Sequence, residues 1–224
     1  SYNPNDIVIN NVTLYNYKRD FIDLQNVIVE MNIFCDLFNE GITCSVIVTD
    51  TDALIERMPI IGAERLQISF KVPARDASKT HVLNFAVVSI KHRQRTQARM
   101  DTYVINGASG EIVNNYHRAV YKTYHDLTPN AIVSAIYNQY LKTEYSNHPL
   151  KMTECAKDTM YYIGAGHTPF QAIEYVAKNT KSAKYRSSSY LFFETFDNWN
   201  YAPIDELFVA DSVEDYYHGY TNLE

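Results

Sequence analysis

Between Val27 and Phe34 the chain alternates. Val27, Val29, Met31 and Ile33 fall on one side of an extended segment, and Ile28, Glu30, Asn32 and Phe34 on the other. A period of two marks a β-strand. After FNEG, where Gly41 suits a turn, Ile42, Cys44, Val46 and Val48 alternate again, so the two runs predict a long hairpin. TDTDALIERMPIIGAE then interrupts the sheet: Asp50 or Thr51 can cap a short helical turn, and Pro59 and Gly62 end it. RLQISFKV resumes as a strand up to Pro73, ARDASK is a turn, and HVLNFAVVSIKH is the next strand; RQRTQAR links it to the alternating MDTYVING. Five or six strands joined by turns, with no crossover helices, predict an antiparallel barrel or sandwich.

The texture changes around residues 106–110. ASGEIVNNYHRAV has a helical pattern, and two Thr-Pro signals follow. In LTPNAIVSAIYNQYLK, Thr128 is a natural N-cap and Pro129 suits the first helical position. Ile132, Ile136 and Tyr140 then form a stripe that Val133, Tyr137 and Leu141 widen. HTPFQAIEYVAKNTKS repeats the device with Thr168 and Pro169, and MYYIGAG between the helices fits one short strand. Both stripes are read as core-facing. SYLFFETF follows as a strand, Asp197-Asn198 as its turn, WNY as the return, and Pro203 as the start of a short helix. Phe192, Glu194 and Phe196 share one face, and Leu191, Phe193 and Thr195 the other. Both faces are mainly apolar, so both are expected to be covered.

Composition narrows the function. The 224 residues fit one large domain or two modest ones. A net charge of −6 gives no overall basic surface for nucleic acid. No apolar run approaches the ~20 residues that cross a bilayer, and SYNPNDIVINN lacks a signal-peptide pattern. Tyrosine is the outlier, with 19 residues against one Trp. Its ring and hydroxyl suit half-buried strands and subunit contacts.

Candidate chemistry is sparse. Cys35, Cys44 and Cys155 make no disulfide framework; one bridge between Cys35 and Cys44 across a hairpin is conceivable, but small buried hydrophobes are the favoured reading. The seven His are scattered without metal-ligand spacing. Asp50 and Asp52 are read as turn caps, and IGAGHTPF as a tight strand-to-helix turn in preference to an anion-binding nest. No catalytic, metal or cofactor-binding residue is therefore assigned. KHRQRTQAR places Lys91, Arg93, Arg95 and Arg99 at a hairpin tip, either as a solvated turn or as a docking point for an acidic subunit or passing nucleic acid. Arg93, Arg95 and Arg99, with Trp199 and Tyr201 of the aromatic hairpin, are the candidate assembly contacts.

The order of these motifs resembles a known family. TDTDALIERMPIIGAERLQISF, a closing strand pair, two Thr-Pro helices and YLFFETFDNWNYAPIDELF look like the central baseplate hub protein of contractile-tailed bacteriophages, related in fold to the hub part of VgrG-type spikes. The resemblance covers roughly residues 24–208 and is most specific at PIIG and the terminal hairpin. It implies an α+β fold: a tail-tube-like antiparallel β-barrel over 1–107, a small mixed α/β domain over 108–208, and an acidic tail or the start of a second barrel over 209–224. It also implies a non-enzymatic virion protein assembled in the host cytoplasm. Such a protein is a homotrimer that joins the tail tube, or a tube-initiator protein, to the central spike, with DNA only as a passenger of the lumen. A glycan-binding adhesin module is the alternative that the tyrosines and Trp199 and Tyr201 motivate.

Overall fold

The structure is a computed structural model that describes residues 7–51, 53–58, 61–97, 100–146, 148–185 and 189–211. Asp52, Pro59, Arg99 and most of the expected acidic tail lie outside the described residues. The fold is α+β, in two lobes with separate hydrophobic cores.

The first lobe is one antiparallel sheet of seven strands: β1 (Val8–Tyr15), β2 (Phe21–Asp23), β3 (Ile28–Phe34), β4 (Thr43–Asp50), β5 (Arg65–Lys71), β6 (His81–Gln97) and β7 (Met100–Ser109). They lie in the order β2-β1-β5-β6-β7-β4-β3. This order forces the sheet to curl. Strands β2 and β3 are its two margins, yet only residues 24–27 separate them along the chain. That link touches both ends of the sheet: the Leu24 N–H donates to the Val12 carbonyl at 2.8 Å, and the Thr49 N–H donates to the Val27 carbonyl at 2.8 Å. The result is an open half-barrel. Alternation supplies its core, with Val46 and Val48 of β4, Leu66, Ile68 and Phe70 of β5, and Leu83 and Phe85 of β6 all buried.

The sheet has two strands beyond the five that the sequence pattern placed, β1 and the three-residue β2. In β1, VINNVTLY, a register shift between Ile9 and Asn11 breaks the alternation, and Val12, Thr13 and Leu14 are buried in succession. A bulge of this kind removes the period on which strand recognition depends. The interruption after β4 is α1 (Leu54–Arg57), whose N-cap position falls to Ala53 at φ 54 and not to Asp50 or Thr51; Asp50 still serves the first turn, its Oδ2 accepting from the Leu54 N–H at 2.7 Å. The described half of the PIIG segment, Ile61 and Gly62, is held by Glu64. Its two carboxylate oxygens accept from the Ile61 and Gly62 N–H groups, each at 2.8 Å. Gly62 sits at φ +94, a conformation that favours glycine. A second helical turn, α2 (Pro73–Asp76), fills the expected β5–β6 connection.

The second lobe contains α3 (Gly110–His117), β8 (Tyr124–Leu127), α4 (Pro129–Ile136), β9 (Leu150–Met152), β10 (Met160–Tyr162), α5 (Pro169–Lys178), β11 (Tyr190–Glu194), β12 (Trp199–Pro203) and α6 (Ile204–Phe208). Both Thr-Pro signals start helices. Thr128 accepts from the Ala131 N–H, and Thr168 forms a full capping box with Gln171. A π-helical turn over 137–141 extends α4 and keeps Tyr137 and Leu141 in the core. The glycines before α5 serve packing. A Cβ on Gly164 would lie 2.5 Å from the Lys122 carbonyl oxygen, and the Gly166 N–H bonds the Val120 carbonyl at 3.0 Å. The segment is thus the tight turn expected of it.

All three cysteines are free. The β3–β4 register pairs Cys44 with Ile33, so Cys35 is not its partner. Burial in the barrel core pushes the Cys44 thiol up to about 12.

Candidate functional site

The aromatic hairpin β11–β12 is the joint of the molecule. Its register pairs Phe192 with Tyr201 and Glu194 with Trp199. One side completes the second core: Phe192 stacks on Trp199 at 5.0 Å, and Tyr190 lies 4.8 Å from Tyr201. Its turn reaches the barrel. Phe196 packs edge-on against Phe70 at 5.3 Å, and Asp197 pairs with Lys79 at 2.6 Å and His81 at 3.2 Å. Phe193 is buried, and Leu191 and Phe196 are half-buried. Phe193, on the opposite side of the strand from Phe192, is buried too, so both faces of the strand are covered.

Trp199 and Tyr201, expected as assembly contacts, are 0% exposed. The Tyr201 hydroxyl is tied to Thr180 Oγ1 at 2.6 Å. Neither ring can meet a partner or a sugar, so that expectation is corrected. An aromatic on a two-residue period lands in the core whenever helices cover the sheet, and α5 covers this one.

Sequence reasoning missed a buried polar cluster at the same joint. Glu194 is enclosed, with one carboxylate oxygen accepting from the Ile42 N–H at 2.8 Å and from the Ser109 hydroxyl. Its other oxygen lies 2.7 Å from His148 Nδ1. The barrel, the 142–148 connection and the hairpin thus meet on one carboxylate. A Glu amid six other residues of YLFFETF was the available signal, since an acid in an apolar strand needs partners.

The basic tip is a long two-stranded finger, because β6 runs 17 residues and β7 ten. Register shifts between Lys91 and Gln94 and between Arg95 and Gln97, with His92 at φ 55, twist it away from the barrel's regular ladder. Asp101 orders the cations: Arg93 Nη2 approaches its carboxylate at 2.7 Å and Arg95 Nε at 3.5 Å. Hydrogen bonds from Arg93 are the largest influence holding the Asp101 carboxyl below the usual range. Arg93 and Arg95 both remain on the surface.

The barrel margins are the other open feature. Strand β3 pairs with β4 on one side and with no strand on the other among the described residues. Val29, at 67% exposure, and Phe34, at 56%, stand on that margin. Phe21 on the opposite margin, β2, is exposed as well. An unpaired apolar edge is a template for another chain.

No family model matches the sequence, and neither does any curated protein. Solved structures do match the fold. The 43 kDa tail protein of prophage MuSo2 from Shewanella oneidensis aligns with a TM-score of 0.54 at 10% identity, covering 86% of this chain and 54% of that one. Prophage tail protein gp18 from Listeria monocytogenes aligns with a TM-score of 0.53 at 9% identity, covering 96% and 56%. A chain of the Francisella PdpA-VgrG complex aligns with a TM-score of 0.51 at 11% identity, covering 93% and 30%. The chain therefore has the fold found in phage tail and VgrG-complex proteins, and it spans about half the length of the tail proteins it matches.

Proposed function

We propose that this chain is a structural subunit of a virion tail, the central hub of a contractile-type baseplate. Three copies close into a ring between the tail tube, or its initiator protein, and the central spike. It works by assembly, without a catalytic step or cofactor, and DNA meets it only as a passenger of the lumen. The observation that carries this reading is the curled sheet whose apolar margin pairs with no strand among the described residues, in a fold found in tail proteins. A half-barrel leaves two edges, and a closed ring of copies covers both without leaving a free end. The β6–β7 finger, with Arg93 and Arg95 exposed, supplies a second contact for an acidic neighbour; Arg99 shares that tip in sequence but lies outside the described residues.

The test is mass in solution by light scattering across protein concentration, with Val29→Lys/Phe34→Lys as the edge variant. A trimer that the double variant reduces to a folded monomer is the expected result. A wild-type monomer at every concentration overturns the ring. Neutralising Arg93 and Arg95 is expected to weaken assembly most at low salt, because exposed charges are screened. Equal assembly at all salt concentrations removes the finger from the interface.

A further inference from the structure

Beside Glu194 lies a second buried acid that none of the assembly reading uses. Glu111, in the first turn of α3, is only 2% exposed, and its Oε1 has no hydrogen-bond partner among the described residues. It lines a small cavity with Phe85, Ser109, Thr143, Ser146 and Glu194, large enough for about one water molecule. Thr143 Oγ1 on the same wall is likewise without a partner among the described residues.

Strand β6 contributes Leu83, Asn84 and Phe85 to the cavity, none of them titratable, and β7 contributes Ser109. The π-turn brings Tyr137, the 142–148 connection brings Tyr145, Ser146 and His148, and β11 brings Glu194. One histidine therefore faces two carboxylates. Glu194 surrounds itself with donors, the Ile42 N–H, the Ser109 hydroxyl and His148, an arrangement that suits an anion. Glu111 meets Ser146 and its own backbone N–H among the described residues. The two carboxyl groups therefore sit in unequal surroundings, one ringed by donors and the other with an oxygen that meets none among the described residues.

We propose that Glu111 is a proton-binding site that acts as a latch between the lobes: protonated, it lets the barrel, the 142–148 connection and the hairpin close on Glu194, and ionised, it loosens that joint. Desolvation, the largest cause, together with the Glu194 charge raises the Glu111 carboxyl from 4.5 to about 7, against opposing hydrogen bonds and the charge of His148. The sign follows from linkage. A carboxyl whose folded value is raised contributes stability that is fully present below 4.5 and is lost as pH rises through about 7. The contribution of Glu111 to the joint is therefore greatest in acid and fades towards and above neutrality, opposite to that of a salt-bridged carboxylate. The latch does not depend on the tail assignment.

Glu111→Gln keeps the shape and removes the proton. The melting temperature of the full chain should match wild type below pH 4.5, and the variant should become progressively more stable than wild type up to pH 7 and hold that lead above it. A difference between the two that does not change with pH overturns the proposal. Carboxyl carbon NMR of the wild-type chain gives a reading that needs no variant. The Glu111 signal and the Ile42 amide, which reports the Glu194 contact, should titrate together near 7. A Glu111 midpoint in the ordinary glutamate range, or an Ile42 amide that ignores it, also overturns the latch.

Discussion

The two lobes solve burial in different ways. The barrel lobe is one continuous ladder, and almost every core residue is placed by a period of two along its own strand, as in the strict alternation of buried and half-buried positions through β4 and β5. Among the described residues the second lobe has a two-stranded and a three-stranded sheet, one pair of which is parallel, and it relies on helices and stacked rings to exclude water. The barrel can therefore leave its margins open, because the ladder holds each strand from the other side. The second lobe cannot, because its small sheets have no such redundancy and need aromatic volume to fill the gap. The barrel lobe is the one with an open margin among the described residues, and the second lobe is the one closed by stacked rings.

That contrast can be broken experimentally. Trp199→Ala should be the most damaging single change. The indole is fully enclosed against Phe192, Phe170 and Tyr137, and loss of a buried aromatic costs about 3–5 kcal/mol. Urea unfolding measures it, and a loss below about 1 kcal/mol would mean the lobe repacks like a fluid interior. Leu66→Ala in the barrel should come next, at about 2–5 kcal/mol, since Leu66 is also fully buried. The two curves should both show one transition, because Phe196 and Glu194 tie the lobes together. Separate transitions would show the joint to be weaker than either core.

Smaller changes sharpen the same comparison. Gly164→Ala drives a methyl into the Lys122 backbone and should destabilise by about 1–3 kcal/mol, read as a lowered urea midpoint. Thr168→Ala removes the capping box of α5 and should lose about 0.5–2 kcal/mol, with Thr128→Ala losing less because its cap is not reciprocated. Val29→Lys on the open margin should fall within about 0.5 kcal/mol of wild type while changing the assembly state. A large stability loss there would mean that the margin is packed within one chain.

Much of this was visible along the chain. The β3–β4 hairpin, the strands β5 to β7, both Thr-Pro helices and the aromatic hairpin stand where periodicity and capping residues put them. The exceptions share a cause. Strand β1 hides behind its bulge, and β8 and β9 are too short to show a period. Trp199 and Tyr201 looked like surface contacts because alternation tells which residues share a face and not what covers that face.

By itself, the sequence determined local structure and the resemblance to a tail-protein fold, since strand alternation, N-caps and turn residues act over a few neighbouring positions. Only the tertiary structure decided which faces meet. The curl follows from strand order, a relation between residues far apart in the chain. The burial of Glu194 with Ile42, Ser109 and His148, and of Glu111 beside them, depends on four segments separated by up to 152 positions converging on one point. Desolvation is a property of that convergence, so no spacing along the chain could carry it.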